Sequence, residues 1–194
     1  MSSRGRALSY ILRHGAERES IPMTTDGYVR LSDLASHPRL SGMCLQDFRD
    51  LVAADEKQRY TLTSTIAGSD RMGDWCIRAN QGHSMDVRVP MRPVEAGQMD
   101  EVLHATCAGN VDGIRERGIS RSKRRHVHFI PGGGDVDRLA RREADVLVAV
   151  DVDAAMRAGI PFYWADNGVV VSPGNDQGVV PSCFITRIAR RDEL

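Results

Sequence analysis

Apolar residues recur at helical spacing in two segments of the first half of the chain. The first stripe consists of Ala7, Leu8, Ile11 and Leu12. The second consists of Leu45, Phe48, Leu51 and Val52. Each stripe predicts an amphipathic helix that packs into a core. Arg13 and His14 close the first helix, where the helix dipole favours a cation, and Gly15 is its predicted end.

The remainder of the first half predicts a further helix and a hairpin. A turn at Asp26–Gly27 precedes a short extended piece and a helix for which Ser32 is a good N-cap. Residues 59–63 and 75–82 alternate like two strands, joined by the long polar segment 64–74. Helices followed by such a two-stranded wing have a winged-helix outline, which does not by itself define a function.

The second half alternates apolar strands with short helices. The proline- and glycine-rich segment 89–101 predicts a boundary, giving domains 1–90 and 91–194 in an α+β fold. Strands are predicted at residues 101–106, 125–130, 146–152, 168–172 and 182–186. A short helix follows at 153–159, capped by Gly159.

Composition and charge narrow the function classes. Lysine plus arginine and aspartate plus glutamate both number 26, so the net charge is +0 and no global basic field attracts nucleic acid. Any phosphate contact would have to come from a local cluster. No apolar run near the amino terminus suits a signal peptide or a membrane span, and we treat the RRDEL tail as a coincidental likeness to a retrieval signal.

The cysteines predict no disulfide framework and no metal-binding pair. They are Cys44, Cys76, Cys107 and Cys183, which lie far apart along the chain. Without a secretory leader, this spacing favours reduced, mostly buried thiols.

One segment, SKRRHVHF, concentrates candidate chemistry. If it is a strand, Arg124, His126 and His128 project to one face. Two imidazoles beside an arginine suit an anionic or nucleotide ligand, although partly buried structural histidines are the commoner arrangement. A zinc site is the alternative, but no typical ligand spacing supports it. Its further ligands would be Cys76, His83 and His104.

Two other predicted strands end in polar residues. His104 and Thr106 share one face, and Arg78 and Asn80 share another. The turn around Gly82 is of the kind that lets backbone approach a phosphate. Each of these signals alone is weak.

Several cations stand at element ends in a chain without surplus charge. They are Arg13, His14, Arg59, Arg78 and Arg124. One anion-binding cleft would explain them, and so would a scatter of surface arginines. Composition and spacing leave both possibilities open.

The order of seven short motifs is more informative than any one of them. They are ALSYILRHG, DGYVRLSDL, KQRYTL, IRANQGHS, LHAT, RRHVHF and GIPFYWADNGVVVSPG. In this order they closely resemble the tRNA 2′-phosphotransferase family, RNA-repair enzymes that remove an internal 2′-phosphate with NAD. The resemblance runs from about Leu8 to Phe184.

The resemblance implies a two-lobed enzyme and a two-step reaction. The lobes would be a winged-helix RNA-binding lobe over 1–90 and an ADP-ribosyltransferase-like NAD-binding lobe over 91–194, with the site between them. The RNA 2′-phosphate attacks the nicotinamide ribose, giving 2′-phospho-ADP-ribosylated RNA and nicotinamide. Ribose O2″ then attacks phosphorus, leaving 2′-OH RNA and ADP-ribose 1″,2″-cyclic phosphate. The implied enzyme consumes NAD, uses no metal, contacts no membrane, and works as a monomer in the cytoplasm or nucleus.

The resemblance also assigns residues. Its catalytic histidine and three arginines match His14, Arg13, Arg59 and Arg124. Its NAD-binding positions match His104, Thr106, His126, His128 and Asn167. Its RNA-side positions match Arg78, Asn80, Gln81, Gly82, His83, Ser84 and Arg141.

The chain departs from the family pattern at two places. Ala105 replaces a glycine near NAD, and residues 138–143 replace a glycine-containing segment, with Arg141 keeping its arginine. One alternative is an ADP-ribosyltransferase acting on terminal phosphates of RNA or DNA. The other is a non-catalytic winged-helix protein that binds nucleic acid. The last predicts a basic recognition helix, whereas residues 45–57 carry more acidic than basic side chains.

Overall fold

The structure is a computed structural model that describes residues 2–193. The chain forms two compact α+β units, residues 1–90 and 91–194, each with a hydrophobic core of its own. The α+β class predicted from the sequence is confirmed. No helix within residues 2–193 combines the length and the apolarity needed to cross a membrane.

The first unit packs short helices against a three-stranded antiparallel sheet. Its helices are α1 (Ser3–Tyr10), α2 (Leu31–Ala35) and α3 (Leu45–Ala53), and a π-helical turn, Ile11–Gly15, continues α1. Its strands are β1 (Val29–Arg30), β2 (Tyr60–Ser64) and β3 (Trp75–Ala79), in the order β1-β3-β2. The predicted hairpin is therefore confirmed, with Tyr60 opposite Ala79 and Ser64 opposite Trp75.

The predicted apolar stripe of the first helix forms the centre of this core. Leu8, Ile11 and Leu12 are completely buried, together with Phe48 of α3 and Ile77 of β3. Burying each such side chain contributes on the order of 1.5–3 kcal/mol. The stripe thus fixes which sides of α1 and of the π turn face inward.

The prediction that the first helix ends at Gly15 is confirmed, because the π-helical turn runs from Ile11 to Gly15. The chain then continues in hydrogen-bonded turns, with a bond from Glu19 N to Gly15 O of 2.9 Å, up to Ser20 (φ 54°). Gly15 also has a role in packing, because a Cβ there would lie 2.6 Å from Cε1 of Tyr10.

The predicted N-cap at Ser32 is wrong. Helix α2 begins after Arg30, whose backbone is extended (φ −68°, ψ 140°). Val29 and Arg30 pair with β3, so strand pairing fixes the extended conformation up to Arg30 and the helix starts directly behind it. Ser32 is a helical residue whose carbonyl accepts a bond from Ser36 Oγ.

The second unit is built on a seven-stranded antiparallel sheet of order β12-β8-β5-β7-β10-β9-β4. These strands are β4 (Arg92–Pro93), β5 (Glu101–Thr106), β7 (Val127–Pro131), β8 (Val146–Asp151), β9 (Tyr163–Trp164), β10 (Val170–Ser172) and β12 (Ile185–Arg190). A separate ribbon pairs β6 (Ile119–Ser120) with β11 (Val179–Val180). The helices are α4 (Val111–Arg117), α5 (Val136–Leu139) and α6 (Val152–Arg157).

Three predicted strands of the second unit begin later than expected, and one of them, β10, starts at Val170 instead of at residue 168. Strand β7 starts at Val127, because residues 121–126 form a turn in which Arg124 N bonds to Arg121 O at 3.1 Å. The alternation predicted for residues 124–128 is therefore wrong at Arg124 and His126, which precede the strand. Residues 182–184 form a 3₁₀ turn, and β12 begins at Ile185.

The prediction of mostly buried thiols is wrong as well. Cys44, Cys107 and Cys183 are exposed, and Cys76 is half-buried. The three exposed cysteines stand at element ends: before α3, after β5 and in the turn before β12. All four are free thiols.

Candidate functional site

Arg13 and His14 lie in the π-helical turn that follows α1. A backbone bond from Ala16 N to Ile11 O of 3.0 Å closes this turn. The buried Ile11 and Leu12 anchor it, so the two polar side chains sit half-buried at the edge of the unit. Single π turns are rare and occur frequently at functional sites.

The segment 82–84 packs directly against this turn. Ser84 N donates to Arg13 O at 3.0 Å, and Ser84 Oγ lies 2.9 Å from His14 Nδ1. Gly82 (φ 88°) lies beside the Arg13 side chain, since a Cβ there would be 3.5 Å from Arg13 Nε. Ser84 contacts Nδ1 of His14, and the second ring nitrogen, Nε2, lies on the other side of the imidazole ring. Two motifs about seventy residues apart in sequence thus form one cluster.

Arg59 stands immediately before β2 and is held by Asp55. The Asp55 carboxylate accepts a bond from Arg59 N at 2.6 Å and another from Arg59 Nη1. The two side chains are 9% (Asp55) and 21% (Arg59) exposed. Sequence reasoning missed Asp55; its signal was an acidic residue four positions before the arginine.

Asn80 joins the end of β3 to the start of β2. Its Nδ2 donates to Gln58 O at 2.8 Å, and its Oδ1 accepts from Thr61 Oγ1 at 2.6 Å. Its backbone N donates to Arg59 O at 2.8 Å. Asn80 therefore fixes the chain on both sides of Arg59.

Tyr60 is a buried residue of β2 that is affected by the charges of both Arg13 and Arg59. Its hydroxyl donates to Gly5 O at 3.2 Å. Burial raises the pKa of the phenol, while the charges of Arg13 and Arg59 act in the opposite direction. Both guanidinium groups are hence within electrostatic reach of one side chain.

The remaining predicted RNA-side residues of this unit are largely packed into it. Arg78 is 6% exposed, and its guanidinium lies 4.8 Å from the Tyr28 ring centroid. His83 is 4% exposed and borders Gly27. Gln81 is half-buried. Their contact with RNA stays a prediction.

In the second unit, His104 and His128 lie on neighbouring strands and are brought together. His104 Nδ1 donates to His128 O at 3.0 Å, and the His104 ring meets Phe129 edge-on with centroids 5.9 Å apart. Burial lowers the pKa of His104, so this imidazole is neutral at neutral pH.

Arg124 approaches the same histidines from the preceding turn. Its Nη1 lies 3.4 Å from His128 Nδ1, and its carbonyl accepts a bond from Arg121 Nη1 at 2.6 Å. Burial lowers the pKa of Arg124, and the nearby charge of Arg141 adds to this effect. Arg141 is exposed. Its charge nevertheless acts on Arg124.

The other residues predicted to bind NAD are more dispersed. Thr106 is buried, and its Oγ1 accepts from Asn110 Nδ2 at 3.1 Å. Asn167 lies in the turn between β9 and β10, where its Oδ1 accepts from Val169 N. His126 is half-buried in the turn before β7. Their roles toward a nucleotide stay predictions.

His126 provides a test of pH-dependent stability. Burial first, and then the charges of Arg125 and Arg121, lower its pKa from 6.5 to about 4. The unfolded chain binds this proton more readily, so the stability contributed by neutral His126 is lost as pH falls from about 6.5 to about 4. We expect urea midpoints to drop over this window, and to drop less in His126→Gln. Equal drops in both proteins would contradict the burial of this imidazole.

Within the part of the chain that is described, no three histidine, cysteine, aspartate or glutamate side chains lie close enough to hold a metal ion. The first unit instead packs Arg13 and His14 against the 82–84 segment and holds Arg59 through Asp55. Planar guanidinium groups bind phosphate oxygens in pairs and keep their charge at any physiological pH. The second unit offers the imidazoles of His104 and His128, with Arg124 beside His128, which suits a polar, phosphate-bearing ligand.

Comparisons with known proteins point in the same direction. A family model described as RNA 2′-phosphotransferase, Tpt1 / KptA family, matches residues 2–174. The tRNA 2′-phosphotransferase 1 of Danio rerio is 35% identical over 196 residues, covering 97% of this chain and 85% of the relative. Its human namesake is 36% identical over 186 residues (92% and 72%). A probable RNA 2′-phosphotransferase of Streptomyces griseus is 34% identical over 165 residues (84% and 86%).

Proposed function

The chain belongs to the RNA 2′-phosphotransferase family, and we propose that it removes an internal 2′-phosphate from RNA by transferring it to NAD. The products are 2′-OH RNA, nicotinamide and ADP-ribose 1″,2″-cyclic phosphate. The observation that carries this proposal is the cluster of Arg13, His14, Gly82 and Ser84, in which two separate motifs meet. The family membership makes the protein a phosphate-transferring enzyme.

The two units take different parts in this proposal. We assign the first unit to RNA as a winged-helix lobe, with the β2–β3 hairpin as its wing. We assign the second unit to NAD as an ADP-ribosyltransferase-like lobe. Its proposed NAD contacts are His104, Thr106, His126, His128 and Asn167. The neutral imidazole of His104 fits this assignment, because it can bond polar groups without adding charge.

The first step needs little from the protein beyond placement. The attacking 2′-phosphate is already an anion, so no strong base is required, and bond formation at the ribose accompanies loss of nicotinamide. Holding both reactants in line is the main contribution, since oriented reactants react with high effective molarity. Arg13 and Arg59 are suited to hold the phosphate, because their main-chain bonds fix where their side chains begin.

The second step is a phosphoryl transfer. Ribose O2″ bonds to phosphorus, the RNA oxygen leaves, and one proton passes from the ribose hydroxyl to the RNA 2′-oxygen. Charge on the non-bridging oxygens is best stabilised by fixed cations, which we assign to Arg13, Arg59 and Arg124. His14 orients the phosphate or relays the proton, and its bond to Ser84 fixes its ring for either role.

The alternative is an ADP-ribosyltransferase that stops after modifying a terminal phosphate. It would require the same NAD contacts but only the first step. The arginine and histidine cluster of the first unit favours the complete reaction, because cations that stabilise phosphoryl transfer are of use mainly in the second step.

Incubation of the protein with an oligoribonucleotide carrying one internal 2′-phosphate, with and without NAD, tests the proposal. We expect loss of the phosphate only with NAD, accompanied by one nicotinamide per phosphate removed. Accumulation of an ADP-ribosylated oligonucleotide without loss of phosphate would favour the alternative. Binding of the oligonucleotide without NAD turnover would leave only a nucleic-acid-binding protein.

A further inference from the structure

The carboxylate of Asp55 accepts hydrogen bonds from both the backbone N–H and the guanidinium group of Arg59. One oxygen accepts the backbone N–H of Arg59 at 2.6 Å, and the other accepts its guanidinium. Asp55 lies in the turn that leads from α3 to β2, and Gln58 N donates back to its carbonyl at 2.7 Å. Its side chain is 9% exposed, so the pair is shielded from bulk water.

The opposite side of Arg59 is held from β3. Asn80 bonds to the carbonyl of Arg59 through its backbone and to the carbonyl of Gln58 through its side chain. Gln58 has a positive φ of 45°, a conformation that a side chain normally disfavours and that these bonds stabilise. The backbone of Arg59 is therefore fixed at both its N–H and its C=O.

We propose that Asp55 is a positioning residue for Arg59, and that Asn80 completes the support. This inference rests on the proposed function, in which Arg59 acts on the RNA phosphate. It also gives Asn80 a different role from the RNA contact predicted from its motif. The Asn80 amide bonds to Gln58 and Thr61 on either side of Arg59 and holds the start of β2.

The physical reason is preorganisation. A free arginine side chain has many rotamers, and immobilising it costs conformational entropy. Asp55 holds one edge of the guanidinium in the folded protein, before the substrate binds, while the remaining donors stay available for phosphate oxygens. Sites that depend on geometry need this kind of outer support.

The opposing effect is electrostatic. A carboxylate near the phosphate site repels the substrate and offsets part of the arginine charge. If repulsion dominates, removal of Asp55 accelerates the reaction; if positioning dominates, removal slows it. The sign of the effect therefore separates the two.

A third possibility is that Asp55 only closes the turn between α3 and β2. A double-mutant cycle distinguishes that role from positioning, because residues that act through one another are not additive. The four proteins are wild type, Asp55→Ala, Arg59→Ala and the double variant. Single-turnover rates at excess enzyme and affinity for a 2′-phosphorylated oligonucleotide are both measured, so that a very slow variant still gives a result.

We expect Asp55→Ala to slow turnover about 10- to 100-fold, as loss of an outer supporting group does elsewhere. In the Arg59→Ala background the same change should have no further effect. Asp55→Asn should fall between, because an amide oxygen still accepts the backbone N–H but has no charge for the guanidinium. Asp47→Ala is the matched control, since Asp47 accepts Cys44 N at 2.7 Å at the other end of α3 and should leave turnover unchanged.

A rate for Asp55→Ala equal to or above that of wild type would overturn the inference. Equal slowing by Asp55→Ala with and without Arg59 would also overturn it, in favour of a purely structural turn. Failure of the proposed function looks different, because the wild-type protein itself would then not remove the 2′-phosphate. An Arg59→Ala variant as active as wild type would overturn both the assignment of Arg59 and this inference.

Discussion

Arg13→Ala is expected to slow 2′-phosphate removal by about 10³-fold or more, the loss seen when a fixed arginine is removed from phosphoryl-transfer sites. Arg13 belongs to the π turn, and its carbonyl and side chain both contact the 82–84 segment. A lysine at this position would keep the charge but not the planar pair of donors. Arg13→Lys should therefore recover only a small part of the rate.

Single-turnover rates of the oligonucleotide assay provide the measurement, with Arg18→Ala as the matched control. Arg18 is exposed in the turns that follow Gly15 and has no part in the proposed site. We expect its variant to match wild type within a factor of about two, as most surface substitutions do. An Arg13→Ala protein that is folded and within about tenfold of wild type would remove Arg13 from the catalytic group.

Arg124→Ala is expected to have the next largest effect, a loss of about 10²- to 10³-fold. Its guanidinium is half-buried beside His128, and its turn is fixed by Arg121. The substitution removes a cation from the second unit and leaves the strand that follows intact. Because Arg124 is assigned to the phosphate rather than to NAD, the KM for NAD should change less than kcat.

The control for this substitution is Lys123→Ala, which removes an exposed charge one residue earlier. Near-wild-type rates are expected for it. Comparable losses for Lys123→Ala and Arg124→Ala would show that the turn contributes only diffuse positive charge. A selective rise in the KM for NAD in Arg124→Ala would move this arginine to the nucleotide.

Much of the fold was predictable because buried apolar residues recur along the sequence with the period of a helix or a strand. The stripe through Leu8 and Ile11, the β2–β3 hairpin and the apolar strand β8 were all predicted, and all are present. Several element starts were not, because the start of α2 depends on strand pairing and the starts of β7 and β12 depend on local turns. Residue type alone marks Gly15 as a helix end, but its packing against the Tyr10 ring is not visible in a one-dimensional pattern.

The residues of the candidate site were predictable from the sequence, but the contacts between them were not. Motif order named Arg13, His14 and Ser84, but nothing in a spacing of about seventy residues predicts that Ser84 meets the imidazole of His14. Asp55 was missed because a carboxylate in a helix-exit turn is ordinarily a solvated residue. Asn80 was assigned to RNA, whereas its amide is engaged between Gln58 and Thr61.

The most direct test of the account follows the phosphorus atom itself. An oligoribonucleotide with a radiolabelled internal 2′-phosphate is incubated with the wild-type protein and NAD, and the labelled products are separated. The account predicts that the label leaves the RNA and appears in ADP-ribose 1″,2″-cyclic phosphate, in equal amount to the nicotinamide released. Label recovered as inorganic phosphate, or retained on RNA while nicotinamide is released, would contradict it.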